Sequence, residues 1–195
     1  LVDADERKAK IAEQLHAAAA SVSMQAVLPE DLLDEVNCLV EWPSAVLCQF
    51  DAGFLRVPHE ALISTMQSNQ KFFPLQTPDG ALSEYFVGIA NIDSSDVAQI
   101  KKGYERVIRP RFADAQFFYD EDIKQGIGSM AQGLASVTYQ QKLGSYADKT
   151  ARIATLAESI AEQVGLNKAE ARRAAELSKA DLQSRMVGEF PELQG

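Results

Sequence analysis

Apolar residues recur along this chain with different periods, and the changes of period predict its elements. Over Asp3–Ser21, DADERKAKIAEQLHAAAAS, strong helix formers carry a thin stripe at Ile11, Leu15 and Ala18, which predicts a solvent-washed helix. Pro29-Glu30-Asp31 opens a second helix reaching about Asn37, with proline in the first turn and acids where the dipole favours them. Trp42-Pro43 ends that segment. Residues 44–50 are a short apolar run of strand length, and Asp51-Ala52-Gly53 supplies a turn. A helix is expected over 59–68, behind Pro58, with Leu62, Ile63 and Met66 inward. Lys71–Leu75 and Tyr85–Ile92 read as strands joined by Thr77-Pro78-Asp79-Gly80, a β-hairpin with suitable turn chemistry. A helix over 95–102 then breaks at Gly103.

From Ser129 aromatics nearly vanish and alanine rises. Helices are expected at 129–142, 145–164 and 167–186, with Gly165 as a C-cap and Pro191 after the last. In the middle one Ile153, Leu156, Ala157, Ile160 and Val164 form the expected core stripe, opposite Asp148, Lys149, Arg152 and Glu158. The predicted class is α+β. Residues 1–128 form a domain of helices and a small antiparallel sheet (about 44–50, 70–76 and 84–92), and residues 129–195 form an all-helical antiparallel array.

One stretch stands apart. Gly103–Asp122, GYERVIRPRFADAQFFYDED, places Arg106, Arg109 and Arg111 beside Phe112, Phe117, Phe118 and Tyr119, then closes with Asp120, Glu121 and Asp122. Pro110 biases Arg109 toward an extended backbone, so a helix is expected to start at Pro110, with Phe112, Ala115 and Tyr119 on its core face and the aromatics buried. The arginines then lie near a helix start. Guanidinium forks and a helix N-terminus both suit phosphate, but the same groups equally suit pairing with nearby carboxylates such as Asp114 and Glu121. Both readings stay open on the sequence.

Composition narrows the classes. The 195 residues include 46% hydrophobic and 24% charged residues, ordinary for a folded domain. No apolar run approaches the roughly 20 residues of a membrane span, and the mixed-charge start is not a signal peptide, so a cytoplasmic place is expected. The net charge of −9 opposes non-specific binding to a polyanion, which confines any nucleic-acid contact to local patches. Cys38 and Cys48 fit neither a metal knuckle nor a disulfide framework and are expected to be buried thiols. His16 reads as a surface residue on the first helix, and His59 as exposed at a helix start. With only these two histidines the chain offers no usual zinc set, no GxSxG elbow raises a serine, and Gly126-Ile127-Gly128 lacks the lysine of a phosphate loop. The start at Leu1 and the PELQG ending suggest an internal piece of a longer polypeptide.

The arginine stretch resembles the GNERV-RPR-ADA-FF block of the beta subunit of bacterial heterotetrameric glycyl-tRNA synthetase. EWPSAVLCQF (41–50), FLRVPHEALISTMQSNQKFFP (54–74), VGIANID (87–93), YQQKLGSYADKTARI (139–153) and MVGEFPELQG (186–195) follow in the family's order. Two departures are Asn69, where the family usually has His, and Tyr104, where it usually has Asn. The resemblance implies a ligase whose alpha subunit activates glycine with ATP and Mg, while the beta subunit is required for tRNA(Gly) recognition and assembles with alpha. Arg106, Arg109 and Arg111, by their spacing, are the candidate tRNA contacts. No DNA or membrane partner is implied. It also implies that residues 129–195 are HD-like. Metal-dependent relatives of that fold need His and Asp ligands, whereas Lys179-Ala180-Asp181-Leu182 and Tyr146-Ala147-Asp148 have no His. This stretch of chain is therefore expected to be non-catalytic, without its own cofactor. The alternatives are a structural module docking its arginines on an acidic protein surface, or an HD-type phosphohydrolase.

Overall fold

In the computed structural model, which describes residues 1–195, the chain divides into two compact units, Leu1–Gln116 and Phe117–Gly195. The division falls inside a helix, ahead of the compositional change at Ser129. The class is α+β.

The first unit is built on a four-stranded antiparallel sheet. Helix α1 (Ala4–Ser21), strand β1 (Gln25–Ala26), helix α2 (Glu30–Leu39), strand β2 (Ser44–Gln49), helix α3 (His59–Ser64), and strands β3 (Phe73–Gln76) and β4 (Leu82–Ala90) precede the long helix α4 (Val97–Gln125). The strand order is β1-β3-β4-β2. The three longer strands lie where alternation and turn residues placed them, and the β3–β4 turn closes as expected. The Gly80 amide donates to the Thr77 carbonyl at 2.9 Å, with Gly80 at φ +88, a conformation glycine adopts without strain.

Side chains alternate across the sheet, so each face carries its own core. On one face Phe73, Leu75 and Val87 pack with Ile11, Leu15 and Ala19 of α1 and Leu32, Leu33 and Val36 of α2. Helix α1 is therefore a core helix and not solvent-washed: Ile11 and Leu15 are fully buried. A narrow stripe suffices because its neighbours on α1 are small, which lets the backbone approach the sheet. Gln14 fixes the contact, accepting from the Ala45 amide at 2.8 Å and donating to the Pro43 carbonyl at 3.2 Å.

The other face is aromatic. Phe86 lies 5.0 Å from Phe72 and 6.4 Å from Phe50 between ring centroids, Phe50 meets Phe112 of α4 edge-on at 4.8 Å, and Phe72 meets Tyr104 at 5.0 Å. Gly88 makes room for this helix, since a Cβ there would stand 2.6 Å from the Tyr104 ring.

Helix α4 departs from expectation. It neither stops at Gly103 nor begins at Pro110, but runs through both. The half-buried Tyr104 and the fully buried Ile108, Phe112 and Ala115 form one stripe spaced four, four and three residues apart. An internal proline costs about 3 kcal/mol. Burying one side chain the size of Ile108 or Phe112 returns about 1.5–3 kcal/mol, so a stripe continuing on both sides of Pro110 outweighs the break. Arg106, whose carbonyl loses its amide partner four residues on, is exposed to water.

In the second unit, helices α5 (Ile127–Gln132), α6 (Tyr146–Val164), α7 (Lys168–Leu177) and α8 (Arg185–Glu189) are joined by single turns and by a hairpin, β5 (Thr138–Gln140) with β6 (Gly144–Ser145). The expectation of a wholly helical region from 129 is thus corrected. Val137-Thr138-Tyr139, β-branched and aromatic, followed by Gly144 at φ +87, are the hairpin signal that helical periodicity masked. The expected helix over 167–186 also divides, because Ser184 caps a new helix by accepting from the Val187 amide at 3.0 Å. Buried Asp122 holds that start, accepting from the Arg185 and Met186 amides at 2.8 and 2.9 Å. Gly165 caps α6 in the left-handed region, as expected. The α6 stripe is reversed, however. Leu156, Ile160 and Val164 are 61%, 50% and 61% exposed, while Thr150, Ala154 and Ala161 are buried. Close approach of α6 and α7 selects the small face.

Two substitutions test the fit of α4 on the sheet. Gly88→Ala should lower stability by about 1–3 kcal/mol, because the Tyr104 ring must be displaced. In a Tyr104→Ala background the same change should cost clearly less, with only the Phe72 ring left close to the new Cβ, at 3.1 Å, as chemical denaturation of the four variants would read. Equal costs in both backgrounds would refute the contact.

Candidate functional site

Cations concentrate on the exposed side of α4. Lys102, Arg106 and Arg109 recur at four- and three-residue spacing, which stacks them along one side of a helix, and with Glu105 they line a groove of about 360 Å³. The stripe Tyr104–Ile108–Phe112 turned to the sheet leaves this side to solvent. Arg111 lies two residues beyond Arg109, about 200° around the helix, and is not part of the groove. The structure thus brings together two of the three arginines and separates the third.

All three arginines are exposed, and none makes an ion pair or a side-chain hydrogen bond. Two of the nearby carboxylates are engaged elsewhere. Glu121 pairs with Lys124 at 2.6 Å, which holds its carboxyl below the ordinary range. Glu105 accepts from the Gln49 amide at 3.0 Å and lies 3.7 Å from Lys101. No ion pair joins these arginines to Asp114 or Glu121. What the geometry offers is a row of three positive side chains, fixed at the backbone by a buried stripe and free at the tips, suited to anionic groups spaced along a strand or surface.

The aromatics that follow are only partly buried. Phe112 is fully buried, but Phe117 is 54% exposed and Phe118 and Tyr119 are half-buried. One of the two departures from the family pattern, Tyr104, faces the sheet rather than the groove. Asn69, the other, is exposed at the end of the turn Thr65–Asn69.

The remaining candidates are dispersed. His16 is exposed on α1 and His59 is half-buried at the start of α3. No three His, Cys, Asp or Glu side chains converge as a metal site would require. Cys48 is buried on β2 as expected, but Cys38 is exposed near the end of α2, which corrects the sequence reading. Val36 and Val40 on either side of it are buried, whereas Leu39 is exposed along with it. Desolvation, then the charge of Glu105, pushes the Cys48 thiol up to about 12 from its ordinary 9.0.

The thiols give a direct check. At pH 8 a thiol reagent should modify one equivalent, Cys38, in the folded chain and two after unfolding. The neutral Cys48 thiol is favoured in the folded state, so its contribution to stability is intact below pH 9 and is lost as pH rises toward about 12. Rapid modification of Cys48 in the native chain would contradict its burial.

Comparison with known sequences adds the context. The profile of the family described as "Glycyl-tRNA synthetase beta subunit" matches residues 1–195. The chain is 65% identical over its whole length to a glycine–tRNA ligase beta subunit of Xanthomonas campestris pv. campestris, 58% to that of Xylella fastidiosa and 53% to that of Azotobacter vinelandii. It spans 27–28% of the length of these relatives.

Proposed function

The chain belongs to the family of glycyl-tRNA synthetase beta subunits, and from that premise we propose that it is a non-catalytic part of a glycine–tRNA ligase, supporting tRNA(Gly) binding through the exposed face of α4 and assembly with an alpha subunit. The observation that carries the reading is the row Lys102, Arg106 and Arg109, exposed and free of ion pairs in a chain of net charge −9. Isolated surface arginines in an acidic protein ordinarily find carboxylates. Two arginines and a lysine that do not, held in register by a buried stripe, are available for phosphates. Arg111, on a different side of the helix, contacts RNA or a partner separately from this row.

In this reading the alpha subunit performs glycine activation with ATP and Mg and the acyl transfer, in the cytoplasm. This chain contributes neither nucleotide loop nor metal, and its second unit acts as a scaffold. No helix is long and apolar enough to cross a membrane. The row would add local positive potential where the chain as a whole repels a polyanion, so its contribution must be strongly salt-dependent.

Arg106→Ala and Arg109→Ala, made in the assembled ligase, should each lower the log–log salt slope of tRNA(Gly) binding by about 0.9. The double variant should melt like the parent, since no ion pair is lost. Unchanged affinity and slope in the double variant would refute the assignment. Loss of alpha-subunit association with tRNA contacts intact would move the row to a protein interface.

A further inference from the structure

A second cationic site lies in the hairpin of the Phe117–Gly195 unit. It differs from the α4 row in carrying aromatic rings. Lys149 sits over the Tyr139 ring at 3.9 Å from its centroid and 5.5 Å from that of Tyr146, and the two rings meet edge-on at 5.3 Å. Between Thr138 and Arg152 the chain carries three cations, Lys142, Lys149 and Arg152, against one carboxylate, Asp148. None of the three cations makes an ion pair. Tyr139 and Lys142 are exposed, and every residue of β5 faces water.

Exposure here is not looseness. A two-stranded hairpin is marginal by itself, yet this one is pinned at its turn and base. The Leu143 amide donates to the Gln140 carbonyl at 2.9 Å, the Lys142 amide to Gln140 Oε1 at 2.6 Å and the Tyr146 amide to the Val137 carbonyl at 2.8 Å. Asp148 accepts from the Ser145 amide at 2.7 Å and from its hydroxyl at 2.8 Å, and these bonds hold its carboxyl below the ordinary range. The single acid is thereby spent on the capping box of α6. Arg152 reaches back to the Leu143 carbonyl at 3.2 Å, which ties the tip to the helix. Gly144 is required twice over: its φ is +87, and a Cβ would strike the Asp148 carboxylate.

An exposed ring, Tyr139, backed by the half-buried Tyr146 and set among cations that make no ion pair, offers the elements of a single-strand nucleic-acid platform, where bases stack on rings while cations track the phosphates. A duplex hides its base faces in its own stack, so rings of this kind select unpaired nucleotides. A membrane would call for a contiguous apolar face rather than alternating rings and charges, and an acidic peptide would leave the rings without a role. We propose that the β5–β6 hairpin, with Tyr139 as the stacking ring and Lys142 and Lys149 as phosphate contacts, binds an unpaired RNA segment. The proposal rests on the reading of this chain as a tRNA-binding part and adds a second point of contact with a different preference.

The test uses a 12-nucleotide oligouridine and a 12-base-pair RNA duplex as probes, with binding by the 195-residue chain followed by fluorescence anisotropy at several salt concentrations. The single strand should bind more tightly than the duplex. Tyr139→Ala should weaken single-strand binding about tenfold with the salt slope unchanged, and Tyr139→Phe should restore it, because the ring and not the hydroxyl stacks. Lys142→Ala should lower the slope by about 0.7. Thermal melting should be that of the parent for all three. Unchanged oligouridine binding by Tyr139→Ala would overturn the proposal, as would equal affinity for the duplex. If the hairpin variants are silent while Arg106→Ala and Arg109→Ala weaken tRNA binding, the hairpin assignment fails and the α4 reading stands.

Discussion

The contact on which the first unit depends is that between the stripe of α4 and the aromatic face of the sheet. Tyr104 occupies the space over Gly88, and Phe112 closes on Phe50 at 4.8 Å. The exposed row Lys102, Arg106 and Arg109 is a consequence of this seam. With the stripe at 104, 108, 112 and 115 facing inward, helical geometry leaves 102, 106 and 109 outward, and the positions of the guanidinium groups follow from side chains they never touch. The seam also explains why a helix tolerates proline at its middle, since the buried residues lie on both sides of it and neither half packs as well alone.

Net charge and local charge act at different ranges. A total of −9 repels a polyanion at a distance, but screening confines that field to about 10 Å at ordinary ionic strength. Within that range two clusters, the α4 row and the hairpin, present cations whose nearby acids are engaged in structural bonds: Glu105 on β2, Glu121 on Lys124, Asp148 in a helix cap. In both places carboxylates are committed to bonds of the fold while the cations remain available. That division of labour lets an acidic protein offer discrete anion-binding surfaces.

Much of the sheet was legible in the sequence. Residues 44–50, the turn 77–80 and 85–92 carry period-two or continuous apolar patterns bounded by turn residues, and local signals of that kind survive tertiary context. Tertiary packing overrode the rest. Pro110 is a strong local break signal, outweighed by the Ile108–Phe112 stripe that only the folded sheet rewards. Leu156, Ile160 and Val164 look like a core stripe, yet α6 meets α7 through Ala154 and Ala161, where the backbones approach more closely. Cys38 looks buried among apolar neighbours but is exposed together with Leu39, while Val36 and Val40 take the core-facing places. For the site, the sequence showed three arginines in six residues; that Arg106 and Arg109 share a groove with Lys102 while Arg111 does not required α4 to be continuous. The Tyr139–Lys149 pairing was hidden because its ten-residue separation is closed by a hairpin that the helical period concealed.

The shared face of the α4 cations requires α4 to be continuous, and amide hydrogen exchange tests that continuity directly. The amides of Arg111, Phe112 and Ala115 should be protected to within an order of magnitude of those of β4. The Ile108 amide, on the other side of Pro110, should show the same protection. Fast exchange on the N-terminal side of Pro110, with protection beginning only after it, would mean that the helix starts at the proline, and the shared face of Lys102, Arg106 and Arg109 would not exist.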